Sequence, residues 1–118
     1  MEKEYIMDVA QTIKSQLFGT TEINVLMSWG IEKFIATEYN DMPALKFKVN
    51  GRLFSGIVLI ALNGSDYYEI YLIDENGSRC ICEEACFDEM AGIIDVAVER
   101  GTDIAEYNEF CGKQVIIV

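Results

Sequence analysis

Apolar residues recur along this chain with two different periods, and the switches between them mark out its elements. Tyr5, Ile6, Val9, Ile13 and Leu17 stand three or four residues apart, which predicts a helix over residues 2–18 with Gly19 as its stop. From Ile23 the period drops to two. Ile23, Val25, Met27 and Trp29 alternate with polar Asn24 and Ser28, which predicts a strand, with a bend at Gly30 and a second strand over Lys33–Tyr39. Asn40-Asp41-Met42-Pro43 reads as a turn. In the next run Leu45, Phe47 and Val49 point one way and Lys46 and Lys48 the other, and Asn50-Gly51 has the residues of a two-residue hairpin turn.

The return run, Leu53–Leu62, is apolar on both faces and is expected at the centre of the sheet. Asn63-Gly64-Ser65-Asp66 and Asp74-Glu75-Asn76-Gly77 are further turns, leading to strands over Tyr67–Ile73 and Ser78–Cys82. A second helix is predicted from about Glu83 to Arg100. Its apolar stripe is Cys86, Phe87, Met90, Ile93, Ile94, Ala97 and Val98, and Gly101 ends it. Thr102 or Asp103 is placed to cap a short last helix to about Phe110, and Gln114–Val118 reads as a terminal strand. The expected fold class is therefore α+β. It has an N-terminal helix, an antiparallel β-meander of five to six strands, and C-terminal helices packed on one sheet face.

Composition adds limits to this picture. A length of 118 residues suits a single globular domain, 1–118, and 51% hydrophobic with 25% charged residues is ordinary globular usage. The longest apolar run, Gly56–Leu62, is far short of the roughly 18 residues of a membrane span. The opening Met1-Glu2-Lys3-Glu4-Tyr5 has none of the parts of a signal peptide, so the expected location is cytoplasmic, with reduced thiols. On the same reasoning the two Asn-Gly-Ser sequences are turns rather than glycosylation sites.

Charge changes the picture most. The formal net charge of −11 belongs entirely to residues 66–109, where thirteen acids stand against Arg79 and Arg100, while the remainder of the chain balances to zero. Such a surface repels phosphate backbones, so direct nucleic-acid binding is not expected.

Four cysteines, Cys80, Cys82, Cys86 and Cys111, form the one constellation of metal-ligand type. Four thiolates suit tetrahedral zinc, but C-x-C-x3-C lacks the paired C-x2-C knuckles of structural zinc sites. Cys86 and Cys111 also fall where small core residues are wanted, so the expectation is structural cysteine, with no metal and no cofactor. The chain contains no histidine to activate a thiolate or a hydroxyl. Ser55 is not in a nucleophile elbow, and neither a phosphate-binding loop nor a dinucleotide fingerprint is present. Asp74–Gly77 echoes a calcium loop, but its glycine comes too early and Ala85 stands where the bidentate Glu belongs. These features predict a protein that is not an enzyme.

What remains is recognition. Lys46, Lys48 and Arg52 are expected to form a basic hairpin face, opposite in sign to Glu83, Glu84, Asp88, Asp95 and Glu99 on the second helix. Tyr67 and Tyr68 must point to opposite faces, leaving one available to a partner. The leading expectation is a small acidic protein-interaction or regulatory module, acting on a protein partner or on itself as a homodimer. The alternatives are a nucleic-acid-mimicking inhibitor of the anti-restriction type, presenting the acids of residues 66–109, and a zinc-binding domain.

Ser28-Trp29-Gly30, Met42-Pro43-Ala44-Leu45-Lys46-Phe47 and the Asn50-Gly51 hairpin resemble small uncharacterised proteins of gut Bacteroides-type bacteria, a likeness that implies no activity. The order helix, strands, helix is similar to the double-stranded-RNA-binding domain. The second helix opens with Glu83 and Glu84, however, where that family presents lysines to phosphate.

Overall fold

The computed structural model describes residues 1–101. Helix α1 (Lys3–Thr20) leads into a short helix α2 (Ile23–Ser28). Five strands follow, β1 (Glu32–Tyr39), β2 (Met42–Asn50), β3 (Ser55–Leu62), β4 (Tyr68–Asp74) and β5 (Gly77–Ala85). Helix α3 (Met90–Asp95) then runs on into a wider π-helical turn, Val96–Arg100. Each strand pairs antiparallel with the next in the order β1-β2-β3-β4-β5, so the protein is α+β with an open meander sheet. No helix among the described residues is long and apolar enough to cross a membrane.

Helix α1 follows its pattern, burying Ala10, Ile13 and Leu17 on one stripe. Its end differs from expectation. Gly19 lies inside the helix, and hydroxyls bond back onto its last turns, with Thr20 Oγ1 donating to Gln16 O at 2.7 Å and Thr21 Oγ1 to the otherwise unpaired Leu17 O at 2.6 Å. The expected strand over Ile23–Trp29 is helix α2. Leu26 and Trp29, three apart, go into the core, while Ile23 and Met27, four apart, face out. Gly30, at φ +60°, ends this helix, and a Cβ there would sit 3.2 Å from the Asn50 carbonyl oxygen.

The turns also redistribute. Asn40 and Asp41 both have positive φ and form the two-residue hairpin turn, so Met42 and Pro43 belong to β2. The chain between Asn50 and its partner Ser55 is a four-residue loop, closed by one local bond and held by two tertiary ones. Asn50 N donates to Trp29 O at 2.7 Å, Gly51 N to Phe54 O at 3.0 Å, and Leu53 N to Val98 O at 2.8 Å. Gly51 is needed for close approach rather than for positive φ, since a Cβ would lie 2.4 Å from Val98. The central position expected for the doubly apolar return strand is that of β3. Strand β5 continues through Glu83 and Glu84 to Ala85, which pairs with Tyr68, so the second helix starts only at Met90. The short last helix, the strand Gln114–Val118 and Cys111 lie outside the described residues.

One buried cluster joins α1 to Leu45, Phe47 and Val49 of β2, Val58 and Ile60 of β3, Ile70 and Leu72 of β4, and Met90, Ile94 and Val98. The alternating positions Ala44, Leu59 and Ala61 form a second, smaller cluster beside Tyr39, Met42, Tyr71 and Ile73. The sheet curls over this second cluster. Laid flat, β1 and β5 would stand about 19 Å apart, four steps of about 4.8 Å. Yet the Tyr39 hydroxyl on β1 donates to Ser78 Oγ on β5 at 3.1 Å, and its ring centroid lies 4.8 Å from that of Tyr71. Twist and coiling therefore make this face concave.

Candidate functional site

The residues singled out in the sequence separate into structural and exposed groups. Lys46 and Lys48 share a face of β2, and Lys48 makes an exposed ion pair with Glu32 at 3.6 Å, a contact of small energetic value. Arg52 is not on that face. Its backbone N–H donates to Glu99 Oε2 at 2.7 Å, its Nε to Glu99 O at 2.9 Å and its Nη2 to Arg100 O at 2.9 Å. Arg52 thus clasps the 51–54 loop to the end of the π-helical turn, and the basic hairpin face reduces to two lysines. Glu99 is buried at 6% exposure, so this carboxylate is internal rather than displayed.

Asp95 is likewise drawn inward. It accepts the indole N–H of the buried Trp29 at 2.9 Å and lies 3.7 Å from Arg100 Nε. Of the expected acidic helix face, Glu83, Glu84 and Asp88 are exposed, the first two at the end of β5 and Asp88 in the turn before α3. Asp95 and Glu99 do not join them.

Among the described residues, Cys80, Cys82 and Cys86 do not converge on one ligand set either. Cys80 is exposed on β5 and Cys82 is half-buried. Cys86, expected in the core, is exposed, because the chain leaves the sheet at Ala85 and turns before α3 begins. Among the described residues the one close set of ligand-type side chains is Cys86, Asp88 and Glu89, all exposed, with ligand atoms within 4.8 Å of one another. Glu89 Oε1 accepts the Cys86 backbone N–H at 2.9 Å. The same carboxylate raises the Cys86 thiol pKa by hydrogen bonding to it, and the backbone bond lowers that of Glu89. Burial raises Cys80. The direction of both cysteine shifts is away from a reactive thiolate.

On the concave sheet face the Tyr71 hydroxyl donates to Glu69 Oε1 at 2.6 Å, which holds its pKa well above the usual phenol value. Tyr68 is buried and donates to Gln16 Oε1 at 2.6 Å, while Tyr67 is exposed, so adjacent aromatics do point to opposite faces.

An apolar strip along α1, α2 and β1 is not foreshadowed by the sequence pattern. Phe18 at 41%, Ile23 at 66% and Met27 at 71% exposure are large apolar side chains left in solvent. Phe34 lies at the centre of the strip, 5.5 Å from the Phe18 ring and 5.3 Å from that of the buried Phe47. On one side of Phe34 a groove of about 350 Å³ is bounded by Phe18, Leu26, Met27, Gly30 and Ile31. On the other a smaller one of about 190 Å³ runs past Met7, Gln11 and Lys14. Lys14 Nζ stands 4.7 Å over the Phe34 ring, a cation–π contact that keeps its ammonium at the surface. Along the strip lies β1, an edge strand among the described residues, with a bulge at Lys33. No signal in the sequence marks this strip, because Ile23 and Met27 face outward only if their segment is helical.

Compared with protein families, curated proteins and solved structures, the chain matches none.

Proposed function

We propose that this protein is a non-enzymatic interaction module, and that the strip of Phe18, Ile23, Met27 and Phe34 is its contact surface. The observation that carries this reading is the exposure of Phe18 and Met27 around a groove beside β1, with exposed Ile23 one helical turn from Met27 on α2. Contiguous apolar surface of this kind costs solubility and marks contact sites. Aromatic and methionine side chains are also the types enriched at interface centres. The polar groups elsewhere support it indirectly. Asp95, Glu99 and Glu69 are engaged in internal hydrogen bonds, so these three acids are not free to recognise a partner.

A photo-crosslinking residue at position 27, with a second at position 79 as control, tests the reading in native cells. The expected result is an adduct of defined mass from position 27 alone. Absence of any adduct from position 27, or equal labelling from both positions, overturns it.

A further inference from the structure

We infer that the occupant of the strip is a second copy of this chain, bound about a two-fold axis through the groove. This rests on the interaction reading above and names its partner. A two-fold interface needs a patch that is its own complement. Met27 is the most exposed large apolar side chain among the described residues and stands on the rim of the 350 Å³ groove. Projection and recess therefore lie side by side, and a two-fold sets each Met27 into the groove of the other copy. Phe18 and Phe34, already in edge contact, form the wall it meets.

Charge selects the same occupant. The strip runs along β1, at the opposite end of the described sheet from β5, whereas Glu69, Asp74, Glu75, Glu83 and Glu84 form an acidic stretch on β4, β5 and the turn between them. A basic partner would be steered to that acidic stretch, and a second copy is repelled from it, so two copies approach most easily strip to strip. Lys14 on α1 and Glu22 at the head of α2 flank the strip with opposite signs. The two-fold turns each Lys14 toward Glu22 of the second copy, a pairing that favours this orientation over a parallel one.

Light scattering on size-exclusion fractions from about 5 to about 500 µM tests this, the range in which a small interface populates a dimer. The wild-type mass is expected to rise from one chain to two. Met27→Asp, at a solvent-facing position and checked for unchanged circular dichroism, is expected to stay at one chain throughout. Lys14→Glu and Glu22→Lys are each expected to weaken the dimer about tenfold, and the double exchange to restore it. A wild-type protein that remains one chain at every concentration overturns the second copy. So does a dimer indifferent to Met27→Asp. The crosslink at position 27 separates the two failures. An adduct of twice the chain mass supports the second copy. An adduct of any other mass overturns the second copy and leaves the interaction reading standing, and no adduct removes both.

Discussion

Glu99 and Arg52 stand 47 positions apart in sequence and meet at the junction of the 51–54 loop with the π-helical turn. Removing the carboxylate leaves the Arg52 backbone donor without its acceptor in a largely buried place. Glu99→Ala is therefore expected to cost about 1–3 kcal/mol, and Glu99→Gln less, since an amide oxygen can still accept. Urea unfolding checks this as a lower midpoint at unchanged slope. Tyr71 gives a pH dependence with a definite sign. Its folded pKa is raised above the ordinary 10.0, chiefly because its hydroxyl donates to Glu69, and burial raises Tyr68 in the same direction. The protonated phenol is favoured in the folded state, so this contribution is complete below pH 10 and lost as pH rises beyond it. Stability should fall as pH rises above 10, and Tyr71→Phe should lessen that fall. A chemical-denaturation series from neutral to strongly alkaline pH measures both.

Among the elements, α3 has a glycine with room to spare and the 51–54 loop has one with none. Gly92 lies in α3 with nothing within 4 Å of the place a methyl would take, so Gly92→Ala is expected to stabilise by about 0.5–1 kcal/mol through lower unfolded-state entropy. Gly51→Ala drives a methyl to 2.4 Å from Val98 and is expected to cost about 1–3 kcal/mol. Thermal melts of the pair should shift in opposite directions. The same contrast explains what was legible at this scale. Helix α1 and strands β2 and β3 are long enough for one period to prevail, and they form where the pattern places them apart from their ends, β2 reaching back to Met42 and β3 starting only at Ser55. The segment Ile23–Trp29 is short, and its apolar residues fit a strand face and a helical stripe equally well. Burial of Leu26 and Trp29 and the bond from Trp29 to Asp95 decide for the helix. Glu83 and Glu84 likewise suit a helix start, but pairing of Ala85 with Tyr68 keeps them in β5.

Across the whole molecule, the curl of the sheet holds the second cluster closed. Tyr39 reaches over Ala44, Leu59 and Ala61 to Tyr71 and Ser78, so Tyr39→Ala should uncover this cluster and release β1 from β5. Faster amide exchange in β1 and β5, the edge strands among the described residues, with β3 unchanged, is the expected result, because β3 keeps a neighbour on each side. Alternation and turn chemistry determined by themselves the first helix, the antiparallel meander, the central place of β3 and the division of charge along the chain. These depend on near neighbours or on counting. Tertiary structure alone decided that α2 is a helix, that Arg52 and Glu99 form an internal clasp, that Cys86 is exposed, and that Phe18, Ile23 and Met27 share one strip. Each of these depends on which distant residue buries or bonds a group, and a short run whose residues satisfy both periods carries no local record of that choice.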